Sequence, residues 1–211
     1  MTTWHHEERL AAVLDAVRER AARRVLDLGC GDGDLFVRLA AEPGIARLVG
    51  LDIDAPALDR LRARLAKDPP RVPDVAVRDA SMIDPPPGLA GFDCAVLLET
   101  IEHIPPDRLS ALERALFRTL RPARVVVTTP NAEFNPLLGV PAHRMRHPDH
   151  RFEWDRARFR RWSTRAAQAW GYAVRFRDVA GRHPALGGAS QMAVFDRADP
   201  GPSIAANPNG R

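Results

Sequence analysis

The chain has 211 residues, 45% of them hydrophobic, which suits one α/β domain with a substantial core. Its formal net charge is +4, but of 31 basic residues only Lys67 is lysine; an arginine bias of this kind follows from a GC-rich coding sequence whatever the function, so charge permits a nucleic-acid partner without demonstrating one. No apolar run reaches membrane-spanning length, Met1 to Leu10 has no signal-peptide core, and Cys30 and Cys94 make neither a disulfide framework nor a zinc spacing, so a reduced, cytoplasmic protein with no membrane partner is expected.

Leu10, Val13, Leu14 and Val17 keep helical spacing and predict an opening helix from about Glu7 to Ala22. Arg24 to Leu28 reads as a buried strand, ended by Gly29-Cys-Gly-Asp-Gly33. A short helix through Leu35, Phe36 and Leu39 leads to a second strand, Arg47–Asp52. Leu58, Leu61 and Leu65 mark the next helix, and Val75–Val77 a short third strand. After the loop at Pro85–Pro87 comes a nearly all-apolar fourth strand, Phe92–Leu98, as the middle of a parallel sheet requires.

Pro105 opens a helix through Leu109, Leu112, Leu116 and Leu120, followed by a fifth strand at Arg124–Thr129. Asn131 to Arg151 has no period and predicts a long loop. A helix at about Asp155–Trp170 then precedes two strands near Ala173–Val179 and Gln191–Asp196. The alternation implies a doubly wound, mostly parallel sheet of about seven strands with an antiparallel closing hairpin. Residues 1–198 are expected to form the domain, and 199–211, rich in proline, glycine and asparagine, a disordered tail.

Strand, glycine turn, helix, and a second strand ending in an acid form a nucleotide-type site at the carboxyl edge of the sheet. Asp52 is the acid placed to accept from ribose hydroxyls, with Asp54 as the fallback. The spacing is Gly29-x-Gly31-x-Gly33, not Gly-x-Gly-x-x-Gly, and Asp27 precedes it where it can face an amino-acid ammonium. Val25 to Gly33 resembles the first motif of class I S-adenosylmethionine methyltransferases. That resemblance implies a Rossmann-like fold, S-adenosylmethionine as cofactor, and Ser81 as a contact to adenine. A glycine-rich turn without a ligand, and Ser81 as a plain turn residue, are the blander readings.

Past the fourth strand, Glu99, Glu102 and His103 are spaced i, i+3, i+4. If the segment begins a helical turn, all three project from one side. Two carboxylates gathered there need a cation; a solvated polar helix start is the plainer alternative. Arg146 to Trp154 offers His147 and His150 as a fourth ligand. A mixed oxygen and imidazole set suits Mg²⁺, Mn²⁺, Co²⁺ or Fe²⁺, and softness alone favours Mn²⁺ or Co²⁺ over Mg²⁺.

Glu99-Thr-Ile-Glu-His103, Thr129-Pro-Asn-Ala-Glu-Phe-Asn135, Asp149-His-Arg-Phe-Glu-Trp154 and Ser190-Gln-Met-Ala-Val-Phe195 look like the successive motifs of the small-RNA 3′-terminal 2′-O-methyltransferases of the Hua-enhancer type. The resemblance runs from about residue 8 to Asp196. It implies a divalent metal held by Glu99, Glu102, His103 and His150, the same four acting as the catalytic set. It implies cofactor contacts at Asp52 and Ser81, alongside Asp27, Gly29 and Gly31 of the glycine loop. The implied substrate is an RNA with a free 3′-terminal 2′,3′-diol chelated by the metal. An internal nucleotide, a 3′-phosphate or an existing 2′-methyl cannot chelate alike and should be refused.

In bacterial relatives of that family the methyltransferase is commonly the carboxyl half of a longer protein that assists an RNA kinase-phosphatase-ligase. A bacterial-like enzyme of RNA repair, standing alone, as an excised domain or as one half of a split pair, is therefore the expectation. Gly-Asp-Gly for the common Gly-Glu-Gly, and Ala80 where glycine is frequent, are the departures. Arg144, Arg146, Arg151, Arg156, Arg158, Arg160 and Arg161 could meet phosphates. Phe152, Trp154, Phe159 and Trp162 could stack a base, although the spacing of the last two reads as core. The rival readings are a metal-free S-adenosylmethionine-dependent small-molecule methyltransferase and a non-catalytic RNA-end binding module. A nicotinamide oxidoreductase fails on the glycine spacing.

Overall fold

The computed structural model describes residues 4–198; the expected tail at 199–211 lies outside the described residues. A single seven-stranded sheet runs in the order β3-β2-β1-β4-β5-β7-β6. Its strands are β1 Arg24–Leu28, β2 Arg47–Asp52, β3 Asp74–Asp79, β4 Cys94–Leu98, β5 Arg124–Pro130, β6 Tyr172–Val179 and β7 Ser190–Arg197. The pairs from β3 through β5 are parallel, and β7 pairs antiparallel with both β5 and β6. The doubly wound reading and its antiparallel closing hairpin are both present.

Alternate residues of each strand enter opposite cores, as the period of two demands. Val25, Leu48, Val96, Val126 and Val194 face one core with α1 Trp4–Glu19, α2 Phe36–Ala40 and α3 Ala55–Lys67. Leu26, Val49, Leu97, Val127 and Phe195 face the other with α4 Leu109–Arg114 and α5 Arg156–Trp170. Both cores bury their strand residues almost completely, so the sheet is a rigid floor and its carboxyl edge a fixed rim.

Several boundaries differ from the sequence expectation. The first helix begins at Trp4 and stops at Glu19, since Ala21 turns left-handed with φ 50°. The helix expected from Pro105 is broken: a 3₁₀ turn at Pro106–Arg108 leads into α4, which widens into a π-helical Ala115–Leu120 ending at a left-handed Arg121. Residues 131–151 are not wholly irregular. Asn131 caps a 3₁₀ helix at Ala132–Leu138 by accepting from the Glu133 backbone N–H at 3.0 Å. No apolar period announced it because long-range polar contacts, not an amphipathic face, hold the segment in place.

Candidate active site

The glycine turn after β1 stands in left-handed backbone, with φ 79° at Gly29, 52° at Gly31 and 92° at Gly33. A Cβ at Gly29 would meet Thr100 Cγ2 at 2.4 Å, and one at Gly33 would strike Leu61 Cδ1 at 2.3 Å. A Cβ at Gly31 would meet nothing within 4 Å. Gly29 and Gly33 therefore let elements pack closely, whereas Gly31 borders open space suited to a ligand.

Asp52 ends β2 beside this space. Its Oδ2 accepts from the Gly31 N–H at 2.7 Å, and its Oδ1 from the N–H groups of Ile53 and Asp54 at 2.7 and 2.9 Å. The three bonds fix the carboxylate at the rim. Asp54 is spent on capping α3 through the Ala57 N–H, so the fallback drops out. A cavity of about 160 Å³ runs from Asp52 past Ala80, Ser81, Met82 and Ile83 to His103. Ser81 thus lines the same cavity as Asp52, and its far end opens at the second cluster.

Asp27 lies beneath the turn, 2% exposed, with Oδ2 lacking any partner. Burial, and then the Asp52 charge, push its pKa up to about 7. A buried carboxyl with a free oxygen, an unfilled space at Gly31 and an acid at the tip of β2 fit a cofactor carrying both an ammonium and a ribose.

The second cluster sits past β4, at the centre of the sheet edge. Glu102 and His103 lie on a one-turn 3₁₀ helix, Ile101–His103. Glu99 does not belong to that turn: it precedes it with φ 49°, a left-handed conformation that costs a non-glycine residue energy. The three do not line up by helical spacing. Instead the chain kinks at Glu99, whose N–H donates to Thr128 O and Thr128 Oγ1 at 3.2 and 3.0 Å.

Glu102, His103 and His150 present ligand atoms within 4.8 Å of one another. The His103 and His150 rings are 4.9 Å apart, although 46 residues of chain lie between them. Glu102 is fully buried; its Oε2 accepts from Thr129 Oγ1 at 2.9 Å while Oε1 has no partner. Burial, and then the Glu99 charge, hold its pKa well above the carboxylate range. Glu99 stands beside this triad. Its Oε2 accepts from Arg9 Nη1 at 2.9 Å and Ser190 Oγ at 3.0 Å, and its buried Oε1 has no partner.

Burial, with the neighbouring His150 and His147, lowers the His103 pKa and favours its neutral form. His150 is locked from behind: its Nδ1 meets Glu153 Oε1 at 2.5 Å, with both side chains nearly buried. Burial of Glu153 opposes ionisation, but bonds from His150, Asn135 and the Arg146 N–H outweigh it and lower its pKa. That bond leaves Nε2 of His150 as the available ligand atom. His147 lies further out, its ring 6.0 Å from His103, and its Nδ1 accepts from the Asp149 N–H.

Two orphaned carboxylate oxygens, one on Glu102 in the cluster with His103 and His150 and one on Glu99 beside it, fit a divalent cation. Without one, the site leaves buried acceptors unpaid by any hydrogen bond. Arg9, Thr129, Glu153 and Ser190 hold three of the four candidate ligands, Glu99, Glu102 and His150, and sequence reasoning had given none of them a role. The only signal for Thr129, Glu153 and Ser190 was their membership in the quoted motifs; Arg9 carried none.

The aromatic residues after His150 are core: Phe152, Trp154, Phe159 and Trp162 are 8% exposed or less. The arginines divide. Arg146 and Arg156 are structural, bonded to Asn135 and Glu133. Arg158 and Arg160 lie over Trp154 and Phe176. Arg144, Arg151 and Arg161 are exposed and have no acidic partner among the described residues.

A family model for a methyltransferase domain matches residues 25–123. The small RNA 2′-O-methyltransferase of Rattus norvegicus is 37% identical over 201 residues, covering 90% of this chain and 50% of the relative. The chain spans about half the length of the curated vertebrate relatives it matches. The crystal structure of the methyltransferase domain of bacterial CtHen1 superposes with a TM-score of 0.80 at 32% identity, covering 91% of this chain and 99% of that one. A chain of the Pnkp1/Rnl/Hen1 RNA repair complex aligns at 21% identity with a TM-score of 0.70, covering 93% of this chain and 42% of its own, a likeness of fold alone. Among the described residues, no helix is long and apolar enough to cross a membrane.

Proposed function

Because this chain belongs to the small RNA 2′-O-methyltransferase family, in its Hen1 methyltransferase-domain form, we propose that it methylates the 2′-hydroxyl of the 3′-terminal ribose of RNA with S-adenosylmethionine as donor. The observation that carries the reading is the triad Glu102, His103 and His150, with Glu99 beside it, at the end of the cavity lined by Asp52 and Ser81.

In this reading Asp52 binds the cofactor ribose, Asp27 its ammonium, and Ser81 the adenine edge, with Gly31 leaving room for the methionine part. Glu99, Glu102, His103 and His150 would hold a divalent cation, and a cation there would supply Lewis acidity to a terminal ribose hydroxyl, favouring its ionisation. The kink at Glu99 and the Arg9 and Ser190 bonds orient one carboxylate. Thr129 orients the second, and Glu153 sets the tautomer of His150. Alignment of the two reacting atoms contributes much of the rate.

RNA repair is the setting we favour, because the chain with this fold in the Pnkp1/Rnl/Hen1 complex belongs to an RNA repair assembly. A partner of the RNA kinase-phosphatase-ligase type, and a cytoplasmic location, follow from that setting.

The test supplies labelled S-adenosylmethionine, Mn²⁺ and a short RNA ending in a 2′,3′-diol, beside the same RNA lacking either terminal hydroxyl. Label is expected only on the diol RNA, and a chelator should abolish it. Equal labelling of the 3′-deoxy RNA would overturn the chelation mechanism. Transfer indifferent to chelator would favour a metal-free methyltransferase.

A further inference from the structure

The segment 131–153 encloses a groove of about 590 Å³ that none of the chemistry above uses. We propose that this groove receives the nucleobase of the 3′-terminal nucleotide, held by apolar contact and not by reading its hydrogen-bonding edge. The inference rests on the RNA-end reading and adds a site to it.

The walls are apolar: Pro136, Val140, Pro141, Met145 and the rim of Phe152. Of the five large hydrophobic side chains exposed among the described residues, three lie on this segment, Leu137, Leu138 and Met145. Such a concentration beside a polar site marks a surface that meets a ligand. The groove does not close on itself because a polar frame holds it open. Arg146 donates to Asn135 Oδ1 at 2.5 Å, to Ala189 O at 2.6 Å and to Asn131 O, while Asn135 Nδ2 donates to Glu153 Oε2 at 2.6 Å.

Position identifies the occupant. Glu153 lines the groove and bonds Nδ1 of His150, so the groove adjoins the back of His150, with the Glu153 carboxylate and the imidazole ring between it and the cation face of the cluster. A base attached to a ribose held at that face lies within reach. Charge agrees: Arg144 on the groove wall and Arg151, whose N–H donates to Glu102 O at 2.7 Å, are exposed cations without acidic partners among the described residues. They suit the phosphate entering from the 5′ side. An uncharged apolar ligand would leave both cations unused.

Polarity sets the mode of recognition. Asn135 and Glu153, the amide and carboxylate of the groove, are engaged with each other, with Arg146 and with His150. What remains toward the ligand is aliphatic and prolyl surface, which every base can contact alike.

The test is equilibrium binding by fluorescence anisotropy, with the full chain, Mn²⁺ and S-adenosylhomocysteine. The probes are a short diol-ended RNA and the same RNA with an abasic terminal ribose. The wild-type chain is expected to bind the abasic end about tenfold more weakly and the four base identities within about threefold of one another. Ala142→Trp, which plugs the groove from an exposed position, should bind both RNAs at the abasic level. Met145→Ala should shrink the discrimination to about threefold. Undiminished discrimination in Ala142→Trp would overturn the proposal, as would equal binding of both ends by the wild-type chain. A loss seen only when the preceding base is removed would overturn the assignment to the terminal base. Failure to methylate any diol RNA would sink the activity instead, and the anisotropy comparison would still decide the groove.

Discussion

Replacing Glu153 with Gln tests whether the back of the site governs its front. Glu153 Oε1 meets His150 Nδ1 at 2.5 Å and the Arg146 N–H at 2.7 Å, and Oε2 accepts from Asn135 Nδ2 at 2.6 Å. Three donors thus converge on two oxygens. A glutamine offers one oxygen and one NH₂, so at least one donor must face another donor. The pair is nearly buried, at 8% and 3% side-chain exposure, so water cannot relieve the mismatch cheaply. Outer partners of metal-bound histidines typically change metal affinity by about 10–100-fold, or about 1.4–2.8 kcal/mol. Glutamine keeps the volume and can keep one acceptor, so the lower end is expected: a Kd for Mn²⁺ about tenfold weaker, read by the electron paramagnetic resonance of free Mn²⁺. Glu153→Ala, which also leaves a gap, should reach the upper end. A Mn²⁺ Kd within twofold of wild type for both variants would refute the claim that Glu153 orients His150 for a cation.

Three further outcomes follow from the same geometry. Asp27, raised to about pKa 7 by burial and Asp52, holds a proton between roughly pH 4 and 7 that the unfolded chain releases, so this group costs stability as pH climbs through that window. A cofactor ammonium prefers the ionised form; isothermal titration should therefore show affinity for S-adenosylmethionine rising, by at most about tenfold per unit, from pH 5.5 to 7, and Asp27→Asn should flatten the profile. Gly31→Ala should leave Tm within a few degrees but weaken cofactor binding, whereas Gly33→Ala, whose Cβ would strike Leu61 at 2.3 Å, should lower Tm strongly; similar melts for the two would contradict the division of labour between these glycines. Mn²⁺ at about 100 times its Kd should add about 2.7 kcal/mol to stability, raising Tm by several degrees, and Glu102→Ala should lose that increment in a thermal melt with and without metal.

Local pattern carried the scaffold. The bounds of β1 and β2 follow directly from where apolar runs meet glycine and acid, because those strands are buried on both faces and leave no freedom of register. The break near Leu109–Leu120 was invisible, since leucines at three and four spacing fit α and π turns almost equally. The candidate site was legible in the residues that converge and not in their supports. Glu102, His103 and His150 are unusual residue types in a telling place, and they do converge. Helical spacing failed for Glu99 because a single left-handed residue redirected it. Arg9 lies 90 positions from Glu99 and reads like any helix arginine; only the folded chain brings its guanidinium to that carboxylate. The groove escaped for a similar reason, its walls being prolines and isolated aliphatics whose frame, Arg146, joins three separate stretches of chain.

The most direct measurement compares His150→Ala with the wild-type chain in two assays at once: methyl transfer to diol-ended RNA with saturating Mn²⁺, and equilibrium binding of S-adenosylmethionine. Convergence of His150 with Glu99, Glu102 and His103 on one cation predicts that transfer is lost while cofactor affinity stays within about threefold. Transfer retained at most of its original rate would contradict it.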